Sequence, residues 1–332
     1  MEAMPRGAAF ALALICATAM GFAIQRGGTC TVSAVEEWVA TRRFSRLLAM
    51  MEASIWVSGG LLIAREFGTP FSLPPAHAVT VWTLIGATLL GLGALVNGAC
   101  IFGSVARLGS GEWAYAATPV GFFAGCGSVN AVFARTPVTL RPEWSSHLLD
   151  APSWFAWLFA LFAVARITTS IHSRGADTSG DALVGRVWSP HNATIVIGMA
   201  YLAMLLLVGA WVYTDVLAEL ARGMADGVNV RLLLAAALLL GAVLGGWLSG
   251  RLRRAAPAPI AIGRAFAGGM LMAWGSMLIP GSNDGLVLLG MPLFLPHAWI
   301  AFATMCVVIA VGLRWYSPRA TKPRLVCEHR HR

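Results

Sequence analysis

Long apolar runs recur along the chain, separated by short polar or glycine-rich segments. About 20 apolar residues in a helix cross roughly 30 Å of hydrocarbon. The pattern predicts a first span reaching Ile24, then Leu47–Ala64, His77–Val96, Trp113–Phe133, a short span at Trp154–Thr169, Thr194–Tyr213, Arg231–Ser249, one starting at Ile260, and Ala298–Trp315. The N-terminal run has the outline of a signal peptide, but it continues past Gly21 and many spans follow, so we read it as a first membrane helix.

Four places interrupt the pattern. One is Gly27-Gly-Thr-Cys30, followed by a short amphipathic helix carrying Glu36 and Glu37 and then Arg42, Arg43 and Arg46. Another is Asn97-Gly98-Ala-Cys100, after which a short helical pattern resumes. In the second half, Thr214 to Gly223 reads as a short amphipathic helix, and Ile279-Pro-Gly-Ser-Asn-Asp-Gly285 breaks the eighth span before Leu286–Gly290 restarts it. Unwound backbone in a bilayer survives only where protein or a wet cavity satisfies its N–H and C=O groups. A half-helix N-terminus at such a gap carries partial positive charge and suits an anion.

The fold class expected is therefore an all-α polytopic membrane protein of about nine transmembrane helices, arranged as an inverted repeat with short re-entrant half-helices. Residues 1–170 form the first repeat plus span five, 171–193 a linker, 194–316 the second, inverted repeat, and 317–332 a basic cytoplasmic tail. From Cys30 to Cys100 is 70 residues, and from Asp215 to Ser282 it is 67. Glycines punctuate the approach to both later breaks: Gly86, Gly91 and Gly93 in one half, Gly263, Gly268, Gly269 and Gly275 in the other.

Composition agrees: 58% hydrophobic, 12% charged and a mean hydropathy of +0.71. The net charge of +9 raises the question of nucleic acid, but the basic residues lie between apolar runs and no span carries a basic face. They read as topology determinants and exclude a nucleic-acid function. Alternate loops place most of the arginines on the side of the C-terminal tail. The positive-inside rule then puts the N-terminus in the periplasm and the C-terminus in the cytoplasm of a cell inner membrane.

Of six cysteines, Cys16, Cys126 and Cys306 fall inside apolar runs as small hydrophobes and Cys327 lies in the tail. No CxxC or histidine-rich spacing predicts a metal, and no cofactor is expected. Cys30 and Cys100 sit at the glycine-rich breaks. A thiol there is a weak donor to a soft acceptor when protonated, and a nucleophile or soft ligand when ionised. The expected substrate-binding residues are Cys30, Cys100, Asn97 and Gly98, with Ser282 and Asn283 from the opposite break. Arg26 draws anions in, with Arg107 as a second flanking arginine. Asp284 is expected to cap the Leu286 helix away from the cavity, and Glu52 to lie near the membrane interface. A third reading makes Asp284 and Glu52 a cation or proton pathway.

At Gly27-Gly-Thr-Cys30, Asn97-Gly-Ala-Cys100-Ile-Phe-Gly, Arg107-Leu-Gly-Ser-Gly111 and Ile279 to Pro292 the chain resembles the YeeE/YedE sulfur-transport family of inner-membrane proteins, over about residues 8 to 315. The resemblance implies thiosulfate uptake through a nine-helix inverted repeat whose short helices meet at an hourglass waist. It also implies cysteines that pass the ion along by S–H to sulfur hydrogen bonds, and a TusA-like sulfur carrier as partner. Cys30 and Cys100 match two of the family's cysteines; where better-studied members carry a third, this chain has Ser282 and Asn283. The leading expectation is import of a small sulfur-containing anion. The alternative is a membrane thiol protein that hands persulfide sulfur or selenium to a cytosolic carrier.

Overall fold

A computed structural model describes residues 6–71, 73–133, 146–175, 188–223, 228–250, 252 and 256–316. The linker residues 176–187, the tail 317–332 and the arginines 186, 251, 253 and 254 lie outside the described residues. Among those described there are helices and no strand. In the first half they are α1 (Arg6–Gly27), α2 (Thr31–Thr41), α3 (Ser45–Glu66), α4 (Val81–Asn97), α5 (Ile101–Gly109) and α6 (Ala117–Phe133). After α7 (Trp154–Gly175) come α8 (Pro190–Val208), α9 (Tyr213–Ala221), α10 (Val228–Leu248), α11 (Pro259–Leu278), the hook α12 (Asn283–Gly290) and α13 (Pro296–Tyr316).

Local chemistry sets these ends. Thr80 and Thr83 close a reciprocal capping box at the start of α4. Ser189 caps α8, with Pro190 in its first turn, where a missing N–H costs nothing. Gly98, at φ 75°, takes the left-handed conformation that stops α4.

Seven of the described helical stretches are long and apolar enough to cross a membrane, and eight if the bent pair α11–α12 counts as one span. Trp154–Ser170 is apolar but shorter. Gly7–Thr41 and Val81–Gly109 each form one long apolar stretch, so α2 and α5 continue the course of α1 and α4 beyond a break. The chain bends by 51° between α11 and α12.

The two halves match. Position 86 corresponds to 268, 93 to 275, 100 to 282 and 30 to 212, each 182 residues apart (282 minus 100). The packing obeys the same relation: a Cβ at Gly86 would meet the Gly275 carbonyl at 2.7 Å, and one at Gly93 the Gly268 carbonyl at 2.8 Å. Gly86 thus faces Gly275 while Gly93 faces Gly268, so the equivalent helices α4 and α11 run antiparallel and the repeat is inverted. Helix α1 packs on α8 and α10, α3 on α8, α6 on α11, and α4 on α13. Exchanging the halves maps α1–α10 onto α3–α8 and α6–α11 onto α4–α13 and leaves α1–α8 on itself, while α7 packs on α3 outside the symmetric pairs.

One sequence expectation shifts. The first break of the second half lies at Gly209–Val212, not at Asp215, because Gly209 with φ 88° ends α8 and α9 begins at Tyr213. Val212 is the N-cap of α9 and Asp215 belongs to its first turn. The spacing from Val212 to Ser282 is then 70, the same as from Cys30 to Cys100.

Candidate functional site

Each break places the first residue of a short helix in the interior. Cys30 is the N-cap of α2, Cys100 of α5, Val212 of α9 and Ser282 of α12. None of the four uses its side chain to cap the helix it precedes. The side chains are therefore directed elsewhere, and the thiols meet: the Cys100 and Cys30 sulfurs lie 3.8 Å apart. Cys100 is fully buried and Cys30 is 5% exposed.

The first N–H of α2, on Thr31, donates to Cys100 Sγ at 3.1 Å. A helix N-terminus thus points at a sulfur and places partial positive charge beside it. The Thr31 hydroxyl donates to Asn283 Oδ1 at 3.0 Å and lies 3.8 Å from Met50 Sδ. This single residue joins the thiol pair of the first half to the amide of the second.

Asn97 fixes the other side of the break. Its Nδ2 donates to the Ala99 carbonyl at 2.7 Å and to Ser104 Oγ at 2.8 Å, while its Oδ1 accepts from the Thr118 hydroxyl at 3.0 Å. Every hydrogen bond of Asn97 goes to protein, so it shapes the turn that presents Cys100. Gly98 is half-buried at that turn.

In the second half, the hydroxyls of Thr214 and Ser282 contact each other, and both donate to Asp284 Oδ1, Thr214 at 2.9 Å. Asp284 is buried and accepts from Ser282, the N-cap residue, rather than serving as a cap itself. Asn283 is fully buried, and its Nδ2 has no hydrogen-bond partner among the described residues. A buried amide N–H left open costs about 1–3 kcal/mol, which an acceptor in the waist would recover.

Cavities approach this cluster from one side. A cavity of about 280 Å³ is lined by Thr214, Asp215, Glu219, Arg222, His77 and Ser282. Beside it, one of about 130 Å³ is bounded by Val212, Gly285 and His297. Burial pushes the loop residue His77 below the ordinary imidazole range, so it is neutral near pH 7. On the thiol side the space shrinks to about 10 Å³ between Thr29, Cys30, Arg46 and Met50. The larger cavity, here called the vestibule, thus reaches Ser282, while only a small space lies beside Cys30.

Residues 26–311 match the family described as sulphur transport. The chain belongs to the sulphur-transport family, of the YeeE/YedE type. With membrane-length helices through both halves, this family member is a multi-pass membrane protein of a transporter family. No curated protein matches it in sequence.

Of the residues read from the sequence, the structure brings Cys30 and Cys100 together and ties Asn283 to them through Thr31. Ser282 stands at the foot of the vestibule, and Asn97 with Gly98 builds the Cys100 turn. Arg26 does differently: it is 3% exposed, its guanidinium lies over the Phe22 ring at 5.0 Å, and its carbonyl accepts from the Trp188 N–H. Arg107 bonds the Tyr115 hydroxyl at 2.7 Å and lies 3.7 Å from Glu112. Glu52 is buried and paired with Arg166 at 2.7 Å and His191 at 2.6 Å. Thr31, Thr118 and Thr214 lie in this cluster and are not among the expected binding residues, since nothing in the sequence names their partners; Gly103 closes the Cys100 motif.

Proposed function

We propose that this protein imports thiosulfate or a related small sulfur-containing anion across the cell inner membrane, through a constriction formed by Cys30 and Cys100. The observation that carries this reading is the pair of buried sulfurs 3.8 Å apart, one of them receiving the first N–H of a half-helix. A soft anion finds polarisable S–H donors and helix N-termini there, and the open amide of Asn283 on the approach. The vestibule faces the periplasm and the thiol end faces the cytoplasm, in keeping with the arginines 42, 43, 46 and 107 that flank the thiol end.

Transfer of persulfide sulfur to a TusA-like carrier would require that carrier's own sulfur to reach Cys100. Full burial of that thiol favours passage of a small ion instead, with a carrier collecting the product at the cytoplasmic mouth.

Labelled thiosulfate uptake into proteoliposomes, with thiosulfate-dependent growth beside it, tests the proposal. Cys100→Ala and Cys30→Ala are expected to abolish both while the proteins remain in the membrane. Wild-type uptake by both variants would overturn it, and a sulfur adduct on Cys100 during turnover would favour the carrier reading.

A further inference from the structure

The second half holds a buried carboxylate one hydrogen bond away from two residues of the vestibule wall. Asp284 is 3% exposed and accepts hydrogen bonds from the Thr214 and Ser282 hydroxyls, and both of those residues line the vestibule. Among the described residues no arginine, lysine or histidine forms an ion pair with it. The next residue, Asn283, points an unpartnered amide into the same buried region and is joined through Thr31 to the thiols.

From these facts we infer that Asp284 takes up a proton as the anion enters the waist, so that anion and proton cross together. The inference rests on the transport reading above. With Asp284 ionised, the hydrogens of Ser282 and Thr214 are committed to its oxygen and a negative charge lies on the path. An arriving dianion then meets repulsion in a site of low effective dielectric. One proton from the vestibule converts the carboxylate to a carboxylic acid, removes the repulsion and frees a hydroxyl hydrogen for the ion. By linkage, anion binding favours proton binding and the reverse. When the anion leaves on the thiol side the proton leaves too, and the carboxylate is restored. For thiosulfate the net charge moved inward is then one negative charge per cycle.

The surrounding groups are consistent with this assignment. From α9, Tyr213 and Asp215 lie within electrostatic reach of Asp284, and from α8 so does Tyr201. Further along α9, Glu219 pairs with Arg231 of α10, and Arg222 contacts Met277 Sδ at 3.4 Å. Arg107 of α5 is engaged by Tyr115, and Glu52 of α3 by Arg166 and His191. The cysteines 30 and 100 lie beyond Asn283, while His297 of α13 donates from Nδ1 to the His77 carbonyl at 3.0 Å. Asp215 lines the vestibule next to Thr214 in the chain.

The test is labelled thiosulfate uptake into proteoliposomes with the membrane potential clamped and a pH difference imposed. One proton per anion predicts an accumulation ratio that changes about tenfold per pH unit, with acid on the vestibule side driving uptake. Asp284→Asn, which keeps an acceptor for both hydroxyls, should take up thiosulfate with no response to the gradient. A full response in Asp284→Asn, or its loss in His77→Gln instead, overturns the inference. Thiosulfate-driven acidification of a trapped dye in wild-type vesicles is a second readout that needs no variant, and uptake without acidification also overturns it. Absence of any wild-type uptake is a different result, since it defeats the transport reading itself.

Discussion

The sulfur of Cys30 rests on the bare α-carbon of Gly103. A Cβ at position 103 would stand 2.4 Å from Cys30 Sγ and 2.9 Å from Cys30 Cβ. The thiol of one half-helix therefore fits into the first turn of the next, and only glycine leaves it room. This contact sets how close the two sulfurs come, because Cys100 begins the same turn.

Gly103→Ala is expected to displace Cys30 and cost about 1–3 kcal/mol of stability, the range for overpacking a tight site. Uptake should fall at least tenfold, since a misplacement worth about 1.4 kcal/mol at the constriction already accounts for that factor. Adding Cys30→Ala should recover part of the melting temperature in detergent and none of the uptake. Full activity in Gly103→Ala would mean that the spacing of the thiols is immaterial.

A second prediction concerns the helix crossing that holds the halves together. At Gly275 a Cβ would meet the Gly86 carbonyl at 2.5 Å and the Leu90 amide at 2.6 Å, and at Gly93 the Met272 amide at 2.7 Å. These are backbone atoms, which cannot swing aside, so the helices must separate. Small residues at such crossings supply the close packing that replaces hydrophobic drive within lipid. Gly275→Ala and Gly93→Ala should lower the melting temperature by similar amounts, because the two sites are equivalent by the repeat. Gly127→Ala, where nothing lies within 4 Å, should be neutral or slightly stabilising.

Much of this arrangement was legible in the sequence, and the physical reasons differ by element. The Cys30 and Cys100 breaks stand out because polar or glycine residues inside a membrane span need a special environment. The matching break at Gly209–Val212 does not, because Gly-Ala-Trp-Val continues the apolar run and only the backbone conformation of Gly209 reveals the stop. Periodicity likewise names the acid at Glu52 but not its partners, which lie 114 and 139 residues away. The same holds for Thr31, whose bond to Asn283 spans 252 residues. A threonine beside a glycine-rich break gives no hint of a partner in the opposite half.

Glu52 ties α3 to Arg166 of α7 and His191 of α8, and it is the ionic link between α7 and the bundle among the described residues. Glu52→Gln leaves Arg166 without its counter-charge at a site that is partly open, with 26% of the arginine side chain exposed. The expected loss is about 1–3 kcal/mol, below the full cost of stranding a deeply buried charge. Thermal unfolding in detergent measures it. The pH response of uptake should be retained; its disappearance with stability intact would put Glu52 on a proton route and remove it from the structural role assigned here.

The last prediction isolates the bridge between the two halves. Thr31→Val keeps the shape of the side chain and deletes only the hydroxyl that reaches Asn283 Oδ1. The Asn283 carbonyl then joins its amide nitrogen as an unmet buried group, and polar bonds of this kind within membrane proteins average about 0.6 kcal/mol with a maximum near 1.7. A stability loss of about 1 kcal/mol is expected, with a larger effect on uptake because the α2 N-terminus that addresses Cys100 is no longer held against the second half. Asn283→Ala should lose the same bridge and the open amide with it, so its uptake falls at least as far, and adding Thr31→Val to it should cost little more. In a double-mutant cycle that non-additivity is the signature of a direct contact. Additive losses would place Thr31 and Asn283 in separate tasks and break the proposed continuity from vestibule to thiols.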